Sequence, residues 1–143
     1  MKIGVIQASS QAGRIIMSNW KNGNVNISDK LVVRPGYTFD EFKNTEFYTD
    51  QDGIRIITLD GAQVIDGRQY LVDLFFSEGR IYCLSLMNCE KEFTWETEKE
   101  RKMLHDAILA EYGIGEKEEF DWGKIVSNFD SRSTVSEIKF FYN

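Results

Sequence analysis

The stretch formed by residues 54–88 constrains the fold of this chain more than any other part of the sequence. It contains Asp-Gly twice, at Asp60-Gly61 and at Asp66-Gly67, each time between apolar segments. Such a pair indicates a tight hairpin, because a type I′ turn requires positive φ angles at both of its central residues. The stretch is therefore predicted to fold as an antiparallel meander.

The pairing at the end of this meander is predicted from polarity. A three-residue loop at 77–79 would place Phe76 opposite Arg80. One face would then carry Tyr70, Val72, Leu74, Phe76, Tyr82, Leu84 and Leu86, and the other would carry Leu71, Asp73, Phe75, Ile81, Cys83, Ser85 and Met87. A shift by one residue would exchange the faces, so the register that segregates polar residues is favoured. Because the second face is still rather apolar, we expect another element or a second copy of the chain to cover part of it.

Two segments begin with a capping box, in which the first and fourth residues satisfy backbone N–H groups of each other. Thr38 and Glu41 predict a first helix of two to three turns. Thr97 and Glu100 predict a second helix that ends near Tyr112.

The second helix is predicted to be amphipathic. On a helical wheel its buried stripe consists of Leu104, Ala107 and Ile108, with Met103 and Tyr112 at the margins. Glu98 and Lys102 have the i, i+4 spacing of an ion pair.

Strands are predicted at both ends of the chain. In the N-terminal part they cover residues 2–7 and 14–20, and a two-residue hairpin at Asn22-Gly23 would follow. The C-terminal hairpin is predicted from residues 120–129 and 135–142. The expected fold is α+β: an antiparallel sheet packed with two α-helices, in the order β-meander, helix, β-meander, helix, β-hairpin.

The length of 143 residues predicts a single domain, residues 1–143, that buries a core without disulfides or metal. Apolar runs fall short of the roughly 18 residues that span a bilayer, and the N-terminus does not have the pattern of a signal peptide. Cys83 and Cys89 are interpreted as reduced thiols. A cytoplasmic protein without membrane contact, cofactor or metal is expected.

The negative charge of the chain is concentrated in one region. The net charge is −6, and residues 90–121 hold eleven acidic and five basic residues, which accounts for all of it. This distribution argues against nucleic acid, whose phosphates are bound by Lys and Arg. It permits a basic protein partner, and the alternative is a helix face that is charged only to stay solvated.

The predicted binding surface combines two tryptophans with carboxylates of this acidic region: Trp95, Glu96, Glu98, Glu118 and Trp122. An exposed Trp beside carboxylates is typical of a binding hot spot. Alternatively, both tryptophans close the core at one end of the sheet. The preferred hypothesis is a non-enzymatic, immunity- or regulator-like interaction module.

A second hypothesis is a small-ligand-binding protein or minor enzyme with a pocket between sheet and helices. Its candidate lining residues are Tyr82, Cys83, His105 and Tyr112. Catalysis by Ser or Cys usually requires a positioned His, and His105 is the single histidine of the chain. A catalytic set is not identified. A third possibility is a homo-oligomer formed through the second, apolar sheet face.

The chain also resembles a family of small bacterial proteins of uncharacterised function. The C-terminal runs TWETEKERKMLHDAILAEYGI and FDWGKIVSNFDSRSTVSEIKFFY carry the resemblance, together with RPGYTFDEFKNTEFY and LDGAQVIDGRQYLVDLFFSEGRIYCLSLM. It covers residues 31–142 approximately. The resemblance implies a bacterial, intracellular protein of one domain, and it implies no activity or functional residues.

Overall fold

The structure is a computed structural model that describes residues 18–143. Within these residues it comprises a seven-stranded sheet, a two-stranded sheet and two α-helices. Their bounds are β1 Val25–Ser28, β2 Leu31–Val33, α1 Phe39–Phe42, β3 Ile57–Thr58, β4 Gln63–Ile65, β5 Arg68–Ser77, β6 Arg80–Asn88, α2 Glu98–Glu111, β7 Lys117–Phe120, β8 Gly123–Asp130 and β9 Val135–Tyr142. The predicted class, α+β with an antiparallel sheet and two helices, is confirmed.

The large sheet has the strand order β3-β5-β6-β9-β8-β7, and β4 also pairs with β5. All of its strand pairs are antiparallel. Helix α2 packs against β8 and β9 and buries Ile108 and Leu109. One hydrophobic cluster joins side chains of the large sheet, the β1–β2 hairpin, α1 and α2.

The two Asp-Gly pairs have different outcomes. Asp66 and Gly67 both have positive φ angles, 52° and 86°, and join β4 to β5 in a tight hairpin as predicted. The hairpin predicted at Asp60-Gly61 is wrong, since β3 and β4 both pair with β5 instead of with each other. Strand β5 is ten residues long and therefore holds two short strands end to end along one edge.

The loop between β5 and β6 is shorter than predicted. Glu78 and Gly79 form a two-residue turn with φ angles of 50° and 80°, and Ser77 lies opposite Arg80. The predicted three-residue loop is therefore wrong. Positive φ angles at both central residues are those of a type I′ turn, whose twist matches that of the flanking strands.

A β-bulge in β6 corrects the predicted faces of two residues. Phe75 lies opposite Cys83, whereas the next residue, Phe76, lies opposite Ile81, so Tyr82 is an extra residue. Ile81 is consequently buried although it was predicted on the second face, and the Tyr82 side chain is exposed although it was predicted on the core face. The other six residues predicted on that face are buried: Tyr70, Val72, Leu74, Phe76, Leu84 and Leu86.

Helix α1 has the predicted capping box but a shorter length. Thr38 Oγ1 accepts a hydrogen bond from the Glu41 N–H, and Glu41 Oε2 accepts one from the Thr38 N–H, both at 3.1 Å. The helix comprises one turn instead of two to three. It ends where the Thr45 hydroxyl donates a hydrogen bond of 2.7 Å to the carbonyl oxygen of Phe42.

Helix α2 begins near the predicted residue, but its capping box is absent. The Thr97 side chain makes no bond to the first turn of the helix, because Thr97 Oγ1 accepts the N–H of Thr94 at 2.9 Å. The predicted pair of Glu98 and Lys102 is also wrong, since Lys102 Nζ lies 2.7 Å from Asp106 Oδ1.

The buried face of α2 is rotated relative to the prediction. His105, Ile108 and Leu109 are buried, Leu104 is half-buried and Ala107 is exposed. The Nε2 of the buried imidazole accepts a hydrogen bond of 3.1 Å from the Asn88 N–H of β6, whereas its Nδ1 has no hydrogen-bond partner among the described residues.

The C-terminal region has three strands where two were predicted. Asp121 and Trp122 form a turn that separates β7 from β8 inside the predicted strand 120–129. Strands β8 and β9 form the predicted hairpin, and Ile138, Phe140 and Tyr142 are buried on one face as expected.

The hairpin predicted at Asn22-Gly23 is wrong. Residues 20–22 form a 3-10 turn, in which Asn19 Oδ1 accepts the N–H of Asn22, and Gly23 follows with a φ of 80°. Strand β1 pairs with β2 instead. The predicted strand 2–7 and most of 14–20 lie outside the described residues.

Candidate functional site

The structure separates the two tryptophans of the predicted binding surface. Trp95 lies three residues before Glu98, whose Oε2 accepts the N–H of Ser136 at the start of β9 (2.9 Å). The carbonyl oxygen of Trp122 accepts the N–H of Asn143 just beyond the other end of β9 (2.9 Å). Seven residues of extended strand span about 23 Å. The prediction that Trp122 packs near Trp95 is therefore wrong.

The Trp122 side chain is hydrogen-bonded and packed against other rings within the fold. Its Nε1–H donates to the carbonyl oxygen of Lys21 at 2.8 Å, and its ring stacks on Phe120 with centroids 5.2 Å apart. It also lies 5.4 Å from the Tyr142 ring. These contacts agree with the alternative interpretation for Trp122, in which it closes the core at one end of the sheet.

Trp95 is 74% exposed, and within residues 18–143 its indole has no hydrogen bond or ring contact. Its backbone is nevertheless held in a defined turn. The Thr97 N–H donates to the carbonyl oxygen of Thr94 at 2.9 Å, and the Glu96 N–H donates to Thr94 Oγ1 at 3.2 Å. The side chain is thus an exposed indole on a hydrogen-bonded base.

The three predicted carboxylates lie in different places. Glu96 is exposed beside Trp95. Glu98 is buried, and its Oε2 lies 3.4 Å from the Arg101 guanidinium, so it cannot contact a partner. Glu118 Oε1 accepts the N–H of Gly115 beyond the C-terminal end of α2, a helix whose fourteen residues span about 20 Å.

Exposure of an apolar residue of α2 was not predicted from the sequence. Met103 is 69% exposed on the side of the helix that faces away from the sheet, and Ala107 and Ala110 are exposed at the i+4 and i+7 positions. The helical wheel places Met103 on the exposed face once the centre of the buried stripe is moved from Leu104 to Ile108 and Leu109. We define the exposed residues Glu92, Trp95 and Glu96 as the Trp95 surface.

Lys91 and Arg101, two cations close to the Trp95 surface in sequence, are engaged within the chain, whereas the exposed Lys99 makes no ion pair among residues 18–143. Lys91 and Arg101 lie over the ring of Phe93, 5.1 Å and 4.6 Å from its centroid, and Lys91 Nζ is 3.6 Å from Glu100. Among residues 18–143 no cation lies within ion-pair distance of Glu92 or Glu96. The surface is therefore an exposed indole flanked by two carboxylates that make no ion pair within residues 18–143.

The four residues of the alternative pocket do not line a common cavity in the part of the chain that the structure describes. Burial lowers the pKa of His105 to about 4, and its Nε2 is occupied by the Asn88 N–H. Cys83 is buried, and burial raises the pKa of its thiol to about 12. Tyr82 lies in the bulge on the exposed side of β6.

Tyr112 joins distant parts of the chain. Its ring stacks on Trp20 with centroids 3.9 Å apart, and its hydroxyl donates to Asp66 Oδ2. Asp66 Oδ1 also accepts the N–H of Ser18 at 3.0 Å. Burial and the hydrogen bond to Asp66 raise the pKa of Tyr112. These contacts fill the space around the hydroxyl with the chain's own groups.

The described residues contain no group of three or more His, Cys, Asp or Glu side chains placed to hold a metal ion. None of the helices between residues 18 and 143 has the length and apolar character needed to cross a bilayer. Comparison of the chain with known proteins finds no matching family, curated protein or solved structure. The resemblance to small bacterial proteins stays a prediction.

Proposed function

We propose that this chain is a non-enzymatic protein-interaction module that binds a basic partner through the Trp95 surface. The observation that carries the proposal is the exposed Trp95 indole on its hydrogen-bonded turn. Tryptophan is enriched among residues that dominate binding energy, because one ring buries a large area at a small cost in side-chain entropy.

The charge around the indole defines the chemistry of the partner. Glu92 and Glu96 would attract Lys or Arg side chains, while the Trp95 indole would enter an apolar depression between them. Charge complementarity of this kind speeds association and weakens with ionic strength. The partner is thus a protein with an apolar pocket that is rimmed by cations.

The size and acidity of the chain fit an immunity-type or regulatory protein, and we place it in the bacterial cytoplasm. Cys83 and Cys89 are both free thiols, which supports a reducing compartment. Self-association through the second sheet face is a separate proposal, supported by the exposure of Leu71 on that face.

Affinity capture from a lysate of the producing cell tests the proposal. The immobilised chain is compared with Trp95→Ala and with the double variant Glu92→Lys/Glu96→Lys. Glu46→Lys is the matched control, since Glu46 is exposed and makes no ion pair within residues 18–143. One protein should be retained by the wild type and the control. Its affinity should fall at least tenfold in both test variants, as loss of a hot spot predicts.

Salt provides the second criterion. Retention should decrease between about 0.05 M and about 0.5 M NaCl, as screening shortens the range of the attraction. A partner held equally well by Trp95→Ala would overturn the proposal, and so would the absence of any salt-sensitive partner.

A further inference from the structure

Strand β5 extends beyond its neighbour β3. Pairing with β3 reaches Leu74, whereas β5 continues to Ser77. The chain before β3 turns away because Asp52 Oδ1 accepts the N–H groups of Ile54 and Arg55, at 2.8 Å and 3.0 Å. Among the described residues no strand pairs with the last three residues of β5 on this side.

The backbone of Phe76 is directed into this gap. The Val72 carbonyl oxygen accepts the Leu59 N–H at 3.0 Å, and alternate residues of a strand point their polar groups to the same side, so Phe76 also faces the β3 side. On the β6 side Phe76 is opposite Ile81, whose N–H donates away from β5 to the Tyr37 carbonyl oxygen (2.8 Å). The Phe76–Ile81 pair is therefore a non-hydrogen-bonded pair.

An open groove of about 510 Å³ lies at the same place. It is lined by Gly53, Ile54, Phe76, Ser77, Glu78 and Tyr82. Ile54 is 82% exposed and the bulge residue Tyr82 is 46% exposed, so both offer apolar surface to the groove. Within residues 18–143 no cation lies within ion-pair distance of Glu78.

We propose that the free end of β5 binds an extended peptide segment that carries an apolar residue close to Lys or Arg. The segment would add as a strand and exchange backbone hydrogen bonds with Phe76, the mode called β-augmentation. Ile54 and Tyr82 would contact its apolar side chain, and Glu78 would attract its cation. This site is independent of the Trp95 surface and does not rest on the function proposed there.

Hydrogen exchange of the free protein is the first test. The Phe76 N–H should exchange much faster than the N–H of Leu74, which pairs with β3. Equal protection of the two N–H groups would show that the edge is closed, and would overturn the proposal without any ligand.

The second test selects short random peptides displayed on phage against the folded protein. Enriched peptides should carry the apolar-basic pair and should slow exchange of the Phe76 N–H. Ile54→Asp and Glu78→Lys should each weaken their binding at least tenfold. Val64→Asp, an exposed position on β4 outside the groove, and Trp95→Ala should leave it unchanged. Failure to enrich peptides, or binding that Ile54→Asp leaves intact, would overturn the inference.

Discussion

His105 shows how one buried side chain couples the fold to pH. It is the only histidine in the sequence, and its Nε2 accepts the Asn88 N–H, which assigns the ring hydrogen to Nδ1. Burial lowers its pKa from 6.5 to about 4, and the positive charge of Arg101 acts in the same direction. The native state therefore holds a neutral imidazole at neutral pH.

We expect the stability of the protein to fall as pH decreases from 6.5 towards 4. In this window the unfolded chain binds a proton that the folded chain excludes, so the stabilisation is complete above pH 6.5 and is lost progressively below it. The full effect is on the order of 3 kcal/mol. Urea unfolding at pH 7 and near pH 4 measures it, and His105→Gln should show a smaller loss. The same loss in both proteins would assign it to other groups.

Glu98 illustrates what a sequence pattern cannot locate. The wheel gives the angles between side chains of α2 but not the direction of the core. The partner that makes burial of Glu98 possible, Ser136, is 38 residues away. Exposed Glu96 and buried Glu98 therefore look alike in sequence, and both were assigned to the binding surface.

Glu98→Ala should lower the free energy of unfolding by about 3 kcal/mol, because it leaves Arg101 without its buried partner and removes the acceptor of the Ser136 N–H. Glu96→Ala should change it by less than about 0.5 kcal/mol, as is usual for an exposed side chain. Denaturant unfolding compares the two variants. Similar values would contradict the assignment of one carboxylate to the core.

At the scale of elements, the same local pattern had two outcomes. Thr-x-x-Glu forms a capping box at Thr38 but not at Thr97. At the second position the hydroxyl already accepts the N–H of Thr94, so a residue three places upstream decides the result. Asp66-Gly67 forms its predicted turn because both residues adopt positive φ angles, which Asp60 does not.

The turn between β7 and β8 was missed because its glycine follows the two turn residues instead of forming part of them. Gly123 has a φ of 151°, and a Cβ atom there would lie 1.8 Å from the carbonyl oxygen of Phe141 in β9. Strand β9 therefore approaches the β8 backbone more closely than any other residue type would allow.

Gly123→Ala should destabilise the protein by about 4 kcal/mol or more, since backbone atoms must separate to admit the methyl group. Gly61→Ala is the control, because its φ is also positive, 74°, but no atom lies within 4 Å of the added Cβ. Its cost should be about 1 kcal/mol. Thermal unfolding of both variants provides the measurement, and equal melting temperatures would contradict the close approach of β9.

At the scale of the whole molecule, the acidic excess of residues 90–121 is partly neutralised by the fold. Arg68 bridges Glu90 and Glu111, and Lys102 bridges Asp106 and Glu116. The sequence revealed the excess of acidic residues but not which of them are neutralised, because Arg68 belongs to a different element, strand β5. The alternative, that the acidic face is charged only to stay solvated, is therefore tested at Glu92 and Glu96. These two carboxylates make no ion pair among residues 18–143.

The three tryptophans should report their different environments in solution. Trp20 is 1% exposed, Trp122 is packed between rings, and Trp95 is 74% exposed. Trp95→Phe should remove most of the acrylamide-quenchable fluorescence and change the unfolding free energy by less than about 0.5 kcal/mol. Trp20→Phe should leave quenching intact and lower stability. Undiminished quenching in Trp95→Phe would place that indole in the interior.

The extra residue in β6, Tyr82, contributes to the groove but not to the pairing of β5 with β6. Strand β5 has no counterpart for Tyr82, so a chain one residue shorter at this point would restore simple alternation, with Ile81 and Leu84 still directed inward. Such a deletion would erase one wall of the groove while sparing the hairpin that carries it. Deletion of one residue would then change the groove without changing the pairing of β5 with β6.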